Sequence, residues 1–248
     1  MNYFLILFLL IAPGASLMQP EFDSDKFPTR LGELTITFIG HASLMFKWNG
    51  LIIYADPVMR EADFTSFPKA DIIFLTHQHG DHLDLKALEA LSANKTRIIM
   101  PEVCAEKTGE LKIPSSEIMK EWEILNYGDL SCKAVPAYNI KHLRSGGEPY
   151  HPKGMGVGYL VTFGDFKVLI AGDTEDIPEY KKLADENIDV AFLPMNIPYT
   201  MTPEMVVRAA KMIRPKILYP YHYSNTDTDE LLELMADDPL VEVRIRPF

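Results

Sequence analysis

Residues 76–82 read THQHGDH, so that His77, His79, Asp81 and His82 fall within six positions of one another. The whole chain has seven histidines among 248 residues, and three of them lie in this short stretch. Imidazole and carboxylate groups are ligands that zinc, iron and manganese accept in proteins. The stretch directly follows an apolar run that predicts a buried strand, and a loop there can aim its side chains at two neighbouring points. We expect His77 and His79 to serve one metal ion, and Asp81 and His82 a second one beside it.

The segments on either side of this motif alternate between strand and helix patterns. Apolar and β-branched runs predict strands at residues 34–39, 43–48, 51–55, 71–76, 97–100, 130–135, 158–163, 166–171, 190–193 and 217–219. Apolar spacing and capping residues predict helices at about 83–91, 178–186, 203–214 and 228–235, and a helix followed by a turn within 102–120. Asn49-Gly50 and Gly164-Asp165 each separate two strands and predict hairpins. Hairpins first, with helices between the later strands, favour mixed sheets layered with helices.

The pattern H-x-H-x-D-H resembles the hallmark of the metallo-β-lactamase-fold superfamily. Four further segments occur in the order that this family shows: Gly40-His41-Ala42-Ser43, Tyr54-Ala55-Asp56-Pro57, Ala171-Gly172-Asp173-Thr174 and Tyr219-Pro220-Tyr221-His222. The likeness extends from about Leu31 to Arg246 and is greatest to the branch with ascorbate-phosphate lactonase-like and N-acyl phosphatidylethanolamine phospholipase D-like proteins. The resemblance implies an α/β fold, a four-layer αββα sandwich of mixed sheets and outer helices with a dinuclear site at one edge. It implies hydrolase chemistry and leaves the substrate open.

The resemblance also assigns the remaining metal ligands. It implies that Asp173 bridges the two metal ions and that His222 completes the second site. The family usually has a histidine where this chain has Asn139, and a neutral amide is a poor zinc ligand. We expect His151 to supply the missing ligand of the first site; His142 is the alternative, and a carbonyl, water or substrate atom is a third possibility. The cofactors implied are two divalent metal ions, zinc first, with manganese or iron as alternatives.

The implied reaction is attack by a metal-bound hydroxide on a lactone, a phosphodiester or another small ester. Asp81 is the candidate catalytic residue, because its carboxylate can orient the nucleophile or accept a proton. His41 and Asp56 are candidates to support the metal ligands through hydrogen bonds. Lys153 is a candidate to pair with an anionic group of the substrate. The loop at residues 196–201 precedes a helix and is a candidate wall of the pocket.

Two other interpretations of the motif stay open. The first is a catalytically degenerate protein of the same fold that binds metal without turnover, which Asn139 favours. The second is a di-iron redox module, although such modules typically carry glutamate where this chain has His79 and add a flavin domain. Replacement of Asp81 separates an enzyme from a binding protein.

Composition and charge narrow the class of partner. The length favours one domain over residues 18–248. The formal net charge of −11 disfavours nucleic acid and leaves a small-molecule ester as the expected partner. The two cysteines, Cys104 and Cys132, are too few for a disulfide scaffold and favour buried thiols over a single bridge. The oligomeric state stays open, a homo-oligomer included.

The amino terminus predicts a targeting segment. Residues 3–12 read YFLILFLLIA and are followed by the small residues of 13–16, as in a signal peptide. We therefore expect a signal peptide or membrane anchor over residues 1–17, and a protein that is periplasmic, secreted or tethered to a membrane. If Met18 is the true start, the protein is cytoplasmic.

Overall fold

The computed structural model describes residues 22–109 and 115–248, which form two seven-stranded sheets flanked by four α-helices. The strands of the first sheet are β1 (Ser24–Thr29), β2 (Gly32–Gly40), β3 (Ser43–Trp48), β4 (Leu51–Ala55), β5 (Ile72–Phe74), β6 (Arg97–Met100) and β7 (Ser115–Ile118). Those of the second are β8 (Ile124–Tyr127), β9 (Leu130–Ala137), β10 (Gly156–Phe163), β11 (Phe166–Ile170), β12 (Val190–Pro194), β13 (Ile217–Tyr221) and β14 (Glu242–Val243). The helices are α1 (Leu85–Leu91), α2 (Glu102–Thr108), α3 (Pro203–Ile213) and α4 (Thr228–Met235).

Both sheets follow the same plan. Within each one the strands lie side by side in chain order; the first four pair antiparallel and the last four pair parallel, the fourth being common to both sets. Antiparallel strands can be joined by tight turns, whereas parallel strands need crossover segments, which the helices supply. Because β4, β5 and β6 are parallel, as are β11, β12 and β13, each set ends at a single edge of its sheet.

Apolar side chains hold four layers together. One cluster lies between the two sheets and includes Phe38, Trp48, Tyr159 and Phe192. A second cluster packs the outer face of the first sheet against α1 and α2, and a third packs the second sheet against α3 and α4. Each sheet is therefore buried on both faces, as its continuous apolar runs require. The predicted αββα sandwich of mixed sheets with outer helices is confirmed.

Two predicted hairpin turns and the predicted start of α3 are confirmed. Asn49 and Gly50 have positive φ of 48° and 78° and join β3 to β4, and Gly164, at φ 70°, turns β10 into β11. The Thr202 hydroxyl accepts a hydrogen bond from the Met205 N–H at the start of α3, and this helix ends at Arg214. Hairpin turns of this kind need positive φ, which asparagine and glycine adopt at low cost.

Some elements differ from the prediction. Strand β1 lies before the first predicted strand and has no counterpart in the prediction. It is an edge strand with Phe27 as its one buried residue, and Pro28 is tolerated there because an edge strand need not donate every N–H. The segment Pro178–Leu183 is a 3₁₀-helix rather than an α-helix, and it buries Tyr180 and Leu183 three positions apart.

The cysteine thiols are free, and both are buried in the core. Burial raises the pKa of the Cys132 thiol to about 12, so it stays protonated and unreactive near neutral pH. The predicted signal peptide over residues 1–17 lies outside the described residues. Within residues 22–109 and 115–248, every helix is too short or too polar to cross a bilayer.

Candidate metal centre

The loops that follow five strands deliver the chemistry-bearing residues to one edge of the sandwich. His41 follows β2, Asp56 follows β4, the 76–82 motif follows β5, Asp173 follows β11 and His222 follows β13. His41, Asp56 and His222 have positive φ of 52°, 43° and 52°, a backbone region that non-glycine residues seldom occupy. Such strained positions persist where the surrounding structure holds them, and they are enriched at functional sites.

A first group of imidazoles consists of His77, His79 and His151. Nε2 of His77 lies 3.1 Å from Nδ1 of His79, and Nε2 of His151 lies 3.2 Å from the same atom. The ligand atoms of all three residues lie within 4.8 Å of one another. The structure thus brings His151, seventy-two positions away in the chain, to the side chains of the motif.

A second group consists of His41, Asp81, His82 and His222, whose ligand atoms also lie within 4.8 Å of one another. Oδ2 of Asp81 lies 3.1 Å from Nε2 of His41 and 3.6 Å from Nε2 of His222. The rings of His41 and His222 face each other with centroids 3.8 Å apart. His41, which we expected beside the ligands, is as close to Asp81 as any ligand candidate of this group.

Asp173 lies between the two groups and contacts both. Its Oδ2 is 3.1 Å from Nε2 of His151 and 3.5 Å from Nε2 of His222, while its Oδ1 is 3.4 Å from Nε2 of His82. Burial works against ionisation of this carboxyl, yet the facing imidazoles of His222 and His82 hold its pKa well below the usual range. An ionised carboxylate in this position can face two cations at once.

The donor set fits metal ions better than it fits a hydrogen-bonded core. Nε2 of His82, Nε2 of His222 and Oδ1 of Asp173 are buried and have no hydrogen-bond partner among residues 22–109 and 115–248, although buried polar atoms are almost always paired. Ring nitrogens 3.1–3.2 Å apart also match the edge of a tetrahedron of about 3.3 Å that metal–nitrogen bonds of about 2.0–2.1 Å require. The residues of both groups could therefore hold metal ions, with Asp173 shared between them.

The protonation states of the histidines differ within this cluster. Burial, with the neighbouring His151, lowers the pKa of His79 to about 4, so this ring is neutral at pH 7. Burial also disfavours the charged ring of His82, but the carboxylates of Asp173, Asp56 and Asp81 outweigh burial and raise its pKa to about 9. At pH 7, both ring nitrogens of His82 therefore carry a proton in the metal-free protein, and a metal ion that binds Nε2 must displace the proton there.

We predict that titration of zinc into the metal-free protein at pH 7 releases about one proton from His82 and none from His79. Because the proton competes with the metal below pH 9, the apparent affinity of the second group should rise about tenfold per pH unit between pH 6 and 8. Calorimetry in buffers with different ionisation enthalpies measures the proton count. Zinc binding without proton release would contradict this assignment of His82.

Asp56 is fully buried and orients the motif from behind. Its carboxylate accepts hydrogen bonds from the Thr76 N–H at 2.8 Å and from the Thr76 hydroxyl at 2.6 Å. Nδ1 of His82 lies 2.8 Å from Oδ2, the same oxygen that accepts from the Thr76 hydroxyl, so that Nδ1 carries a proton and Nε2 points at Asp173. This is the carboxylate–histidine arrangement that fixes the ring of a metal-binding histidine.

We predict that Asp56→Asn lowers zinc affinity about 10- to 100-fold, because an amide nitrogen replaces one oxygen that accepts from Thr76 or His82. Competition against a fluorescent chelator measures the affinity. Asp129→Asn is the matched control, since Asp129 lies exposed in the turn between β8 and β9. Equal affinity in both variants would show that Asp56 does not orient His82.

Asn139 lies after β9, beside the first group. Its Oδ1 accepts hydrogen bonds from the backbone N–H and from Nδ1 of His151, at 3.0 and 2.5 Å. Its amide nitrogen donates to Glu175 at 3.0 Å and to the Tyr199 carbonyl at 2.9 Å. Asn139 thereby holds His151 with Nε2 turned toward His79. His142, the alternative ligand, instead lies with Nδ1 3.0 Å from Oε1 of Glu175.

Glu175 is a buried acceptor that no sequence pattern singled out. Its carboxylate accepts hydrogen bonds from the backbone N–H groups of Ile140, Lys141 and His142 at 2.7–2.9 Å. Burial opposes ionisation, but these donors and Asn139 lower the pKa of the carboxyl. Glu175 thus ties the loop that carries Asn139 to the strand end that carries Asp173.

A cavity of about 380 Å³ opens over the metal-binding side chains. Beyond the two groups and Asp173, its walls are formed by Arg144, Tyr150, Asn196 and Tyr199. The loop at residues 196–201 therefore contributes to the wall, as one interpretation of the sequence expected. Nothing in the local sequence distinguishes Arg144 or Tyr150, because both lie in a loop without periodic pattern.

Lys153 does not line this cavity. Its ammonium pairs with Glu179 at 2.6 Å and lies 4.6 Å from the centre of the Tyr138 ring. The basic side chain that the structure brings to the cavity is Arg144 instead.

Comparison with known proteins finds one matching family and relatives named as metal-dependent hydrolases. The family described as "Beta-lactamase superfamily domain" matches residues 35–222. A UPF0173 metal-dependent hydrolase of Geobacillus sp. (strain WCH70) is 29% identical over 219 residues, which cover 86% of this chain and 93% of that protein.

Solved structures share the architecture. The crystal structure of a candidate metal-dependent hydrolase from Parabacteroides distasonis is 47% identical, with a TM-score of 0.84, over 91% of this chain and 99% of that one. Igni18, a metallo hydrolase from Ignicoccus hospitalis, has a TM-score of 0.72 at 21% identity over 86% of this chain and 95% of that one, and so shares the fold.

Proposed function

This chain belongs to the beta-lactamase superfamily, and on that premise we propose that it is a metal-dependent hydrolase of small esters, a lactone or a phosphodiester, with two divalent metal ions. The relatives named metal-dependent hydrolases support the reaction class. The observation that carries the proposal is the position of Asp173 between two groups of imidazoles, with buried ligand atoms that have no hydrogen-bond partner in the part of the chain that the structure describes. Such atoms are costly to bury unless something binds them.

Each group would hold one metal ion. His77, His79 and His151 would hold the first, and Asp81, His82 and His222 the second, with Asp173 shared. Zinc suits a set of imidazole and carboxylate ligands, and manganese and iron are alternatives. Bound there, the ions would polarise the scissile ester and bring the pKa of a water molecule down toward neutrality.

The protein's own groups position the reactants. Burial opposes the charge of Asp81, yet contacts with His222 and His41 hold its pKa well below the ordinary value, so it stays an acceptor at neutral pH. Since Asp81 is an acceptor, Nε2 of His41 must be the donor in their 3.1 Å contact. His41 thereby fixes one oxygen of Asp81. The Asp81 side chain is 35% exposed, so it can also orient a water molecule beside the bound ester.

The cavity and the charge of the chain support a small-molecule substrate. A volume of about 380 Å³ falls in the range of about 300–1,000 Å³ that is typical of small-molecule sites. The net charge of −11 argues against nucleic acid as a partner. We also propose that the protein is exported or tethered to a membrane through its first 17 residues; the alternative is a cytoplasmic protein that starts at Met18. The oligomeric state stays open, a homo-oligomer included.

Elemental analysis of the full chain, purified without chelator, tests the metal centre first. We expect about two equivalents of zinc, manganese or iron per chain, and hydrolysis of at least one substrate in a panel of lactones and phosphodiesters. Chelation should abolish turnover, and the metal should restore it. A protein that takes up no metal even after reconstitution would overturn the proposal.

The same preparation separates the two alternatives. A degenerate binding protein would hold metal without turnover. The argument for it is that Asn139 stands where the family has a histidine, and this argument is weakened because His151 lies beside His77 and His79. A di-iron redox module would hold two iron ions and consume oxygen in the presence of a reductant. Asp81→Asn should remove turnover from an enzyme, whereas a binding protein would lose only some stability.

A further inference from the structure

Arg144 is the only lysine or arginine among the described residues that line the cavity over the metal-binding side chains. The other charged residues of this wall are carboxylates, Asp81 and Asp173, and the whole chain is acidic. Among the described residues of the cavity wall, the guanidinium of Arg144 is therefore the one permanently positive group. Arginine stays charged at any physiological pH and presents a planar fork of donors that matches carboxylate and phosphate.

The loop around Arg144 holds the side chain in place. The Arg144 N–H donates to the carbonyl of Glu148 at 2.7 Å, the Gly147 N–H returns a hydrogen bond to the Arg144 carbonyl at 2.8 Å, and Leu143 and Pro149 form an isolated bridge. The guanidinium lies 5.0 Å from the centre of the Tyr150 ring, and Nη2 donates to the Tyr150 carbonyl at 3.2 Å. A stacked guanidinium loses less freedom when it binds a ligand.

Most of the donors of Arg144 have no partner within the described part of the chain. The hydrogen bond to the Tyr150 carbonyl uses one of five N–H groups, and no carboxylate of residues 22–109 or 115–248 lies within ion-pair distance. Arg208 on α3, by contrast, is paired with Asp176. Arg144 is thus an exposed, charged fork beside Tyr150 that lines the cavity and has no counter-ion among the described residues.

Two tyrosines extend the surface beside this fork. The rings of Tyr150 and Tyr199 meet edge to face at 79°, with centroids 5.0 Å apart, and Tyr199 is 45% exposed. Both line the same cavity as Arg144. Aromatic faces next to a cation suit a planar or apolar group that carries a negative charge.

We propose that Arg144, Tyr150 and Tyr199 form a subsite for a non-reacting anionic group of the substrate, a carboxylate or a phosphate attached to a planar or apolar group. The proposal rests on the proposed hydrolase function, because the scissile ester would lie at the metal-binding side chains while the anion lies at Arg144. It narrows the substrate class from small esters in general to esters that carry a second, negatively charged group.

Binding to the metal-loaded full chain tests the subsite without turnover. Benzoate and phenylphosphonate represent the two sources of the anion, and benzamide is the neutral probe. We expect wild-type protein to bind one of the anions at least about tenfold more tightly than benzamide, and Arg144→Gln to weaken that anion about 10- to 100-fold with little change for benzamide. The anion whose affinity falls more in Arg144→Gln shows whether the subsite takes a carboxylate or a phosphate.

Arg214→Gln is the matched control, because it removes the same charge from an exposed position at the end of α3. Arg144→Lys keeps the charge but loses the planar fork, and we expect an intermediate loss. A loss of anion affinity equal to that of the control, or an equal loss for benzamide and the anions, would overturn the subsite.

Turnover distinguishes failure of the subsite from failure of the hydrolase function. The ratio of kcat/KM for the anionic ester 4-nitrophenyl hydrogen glutarate to that for the neutral ester 4-nitrophenyl butyrate should exceed unity in wild type and fall about tenfold or more in Arg144→Gln. Turnover of both esters with a ratio that Arg144 does not affect overturns the subsite and leaves the hydrolase. Arg144-dependent anion binding with no turnover of any ester leaves the subsite and overturns the hydrolase.

Discussion

Asp173→Asn is expected to reduce hydrolysis about a thousandfold and to lower the metal content from about two equivalents per chain to one or fewer. Among residues 22–109 and 115–248, Asp173 is the one carboxylate that contacts both groups of imidazoles, at 3.1 Å from His151 and 3.4 Å from His82. An asparagine keeps the shape but removes the negative charge that would offset two cations. Elemental analysis and kcat for the best substrate of the panel measure the two effects.

Asp165→Asn is the matched control for this experiment. Asp165 lies in the exposed turn between β10 and β11, where its carboxylate accepts a hydrogen bond from the Arg30 N–H. We expect wild-type metal content and turnover in this control. If Asp173→Asn kept two equivalents of metal and full turnover, the shared position of Asp173 would have no role in the reaction.

Glu175→Ala is expected to cost about 3–4 kcal/mol of the free energy of unfolding, because it breaks a buried network. The substitution removes the acceptor of three backbone N–H groups in the loop after β9 and of the Asn139 amide. Those N–H groups would then lose the buried carboxylate as their partner, and the Asn139 amide would lose one of the two contacts that hold it beside His151. Urea unfolding of metal-free protein measures the stability, and zinc titration measures the affinity of the first group.

The pH dependence provides a second test of Glu175. Its pKa is lowered in the folded protein, so its contribution is present above the ordinary glutamate pKa and is lost as the pH falls below that value. The difference in stability between wild type and Glu175→Ala should therefore narrow in acid. Glu89→Ala, at an exposed position of α1, should change stability by less than about 0.5 kcal/mol at any pH. If Glu175→Ala also changed the free energy of unfolding by less than about 0.5 kcal/mol, the stabilising role of the hydrogen-bond network around Glu175 would be contradicted.

Much of the fold could be predicted from the sequence because its signals are local. Continuous apolar runs, the turns at Asn49-Gly50 and Gly164-Asp165 and the cap at Thr202 each depend on a few neighbouring residues. Strand β1 was missed because an edge strand buries one side chain and needs no apolar run. The 3₁₀-helix at Pro178–Leu183 was predicted as α because both place apolar residues three positions apart.

The contacts around the candidate metal centre required the tertiary structure. The sequence favours His151 over His142 without showing where either side chain lies. In the structure, His142 lies against Glu175, whereas Asn139 holds His151 with Nε2 toward His79. Likewise, Lys153 is drawn to Glu179 on the surface, whereas the loop that ends at Tyr150 brings Arg144 to the cavity.

The sequence alone predicts that a strand ends in a loop with the candidate metal ligands His77, His79, Asp81 and His82, because ligands so close in the chain share one turn of backbone. The distant residues that join them are seen only in the folded chain. Asp56 contacts His82, 26 positions away, and Asn139 contacts Glu175, 36 positions away, while Arg144 shares the cavity wall with Tyr199. Such arrangements depend on how the two sheets pack and where their parallel strands end. No local pattern encodes that geometry, since it is set by burial of the apolar faces of both sheets together.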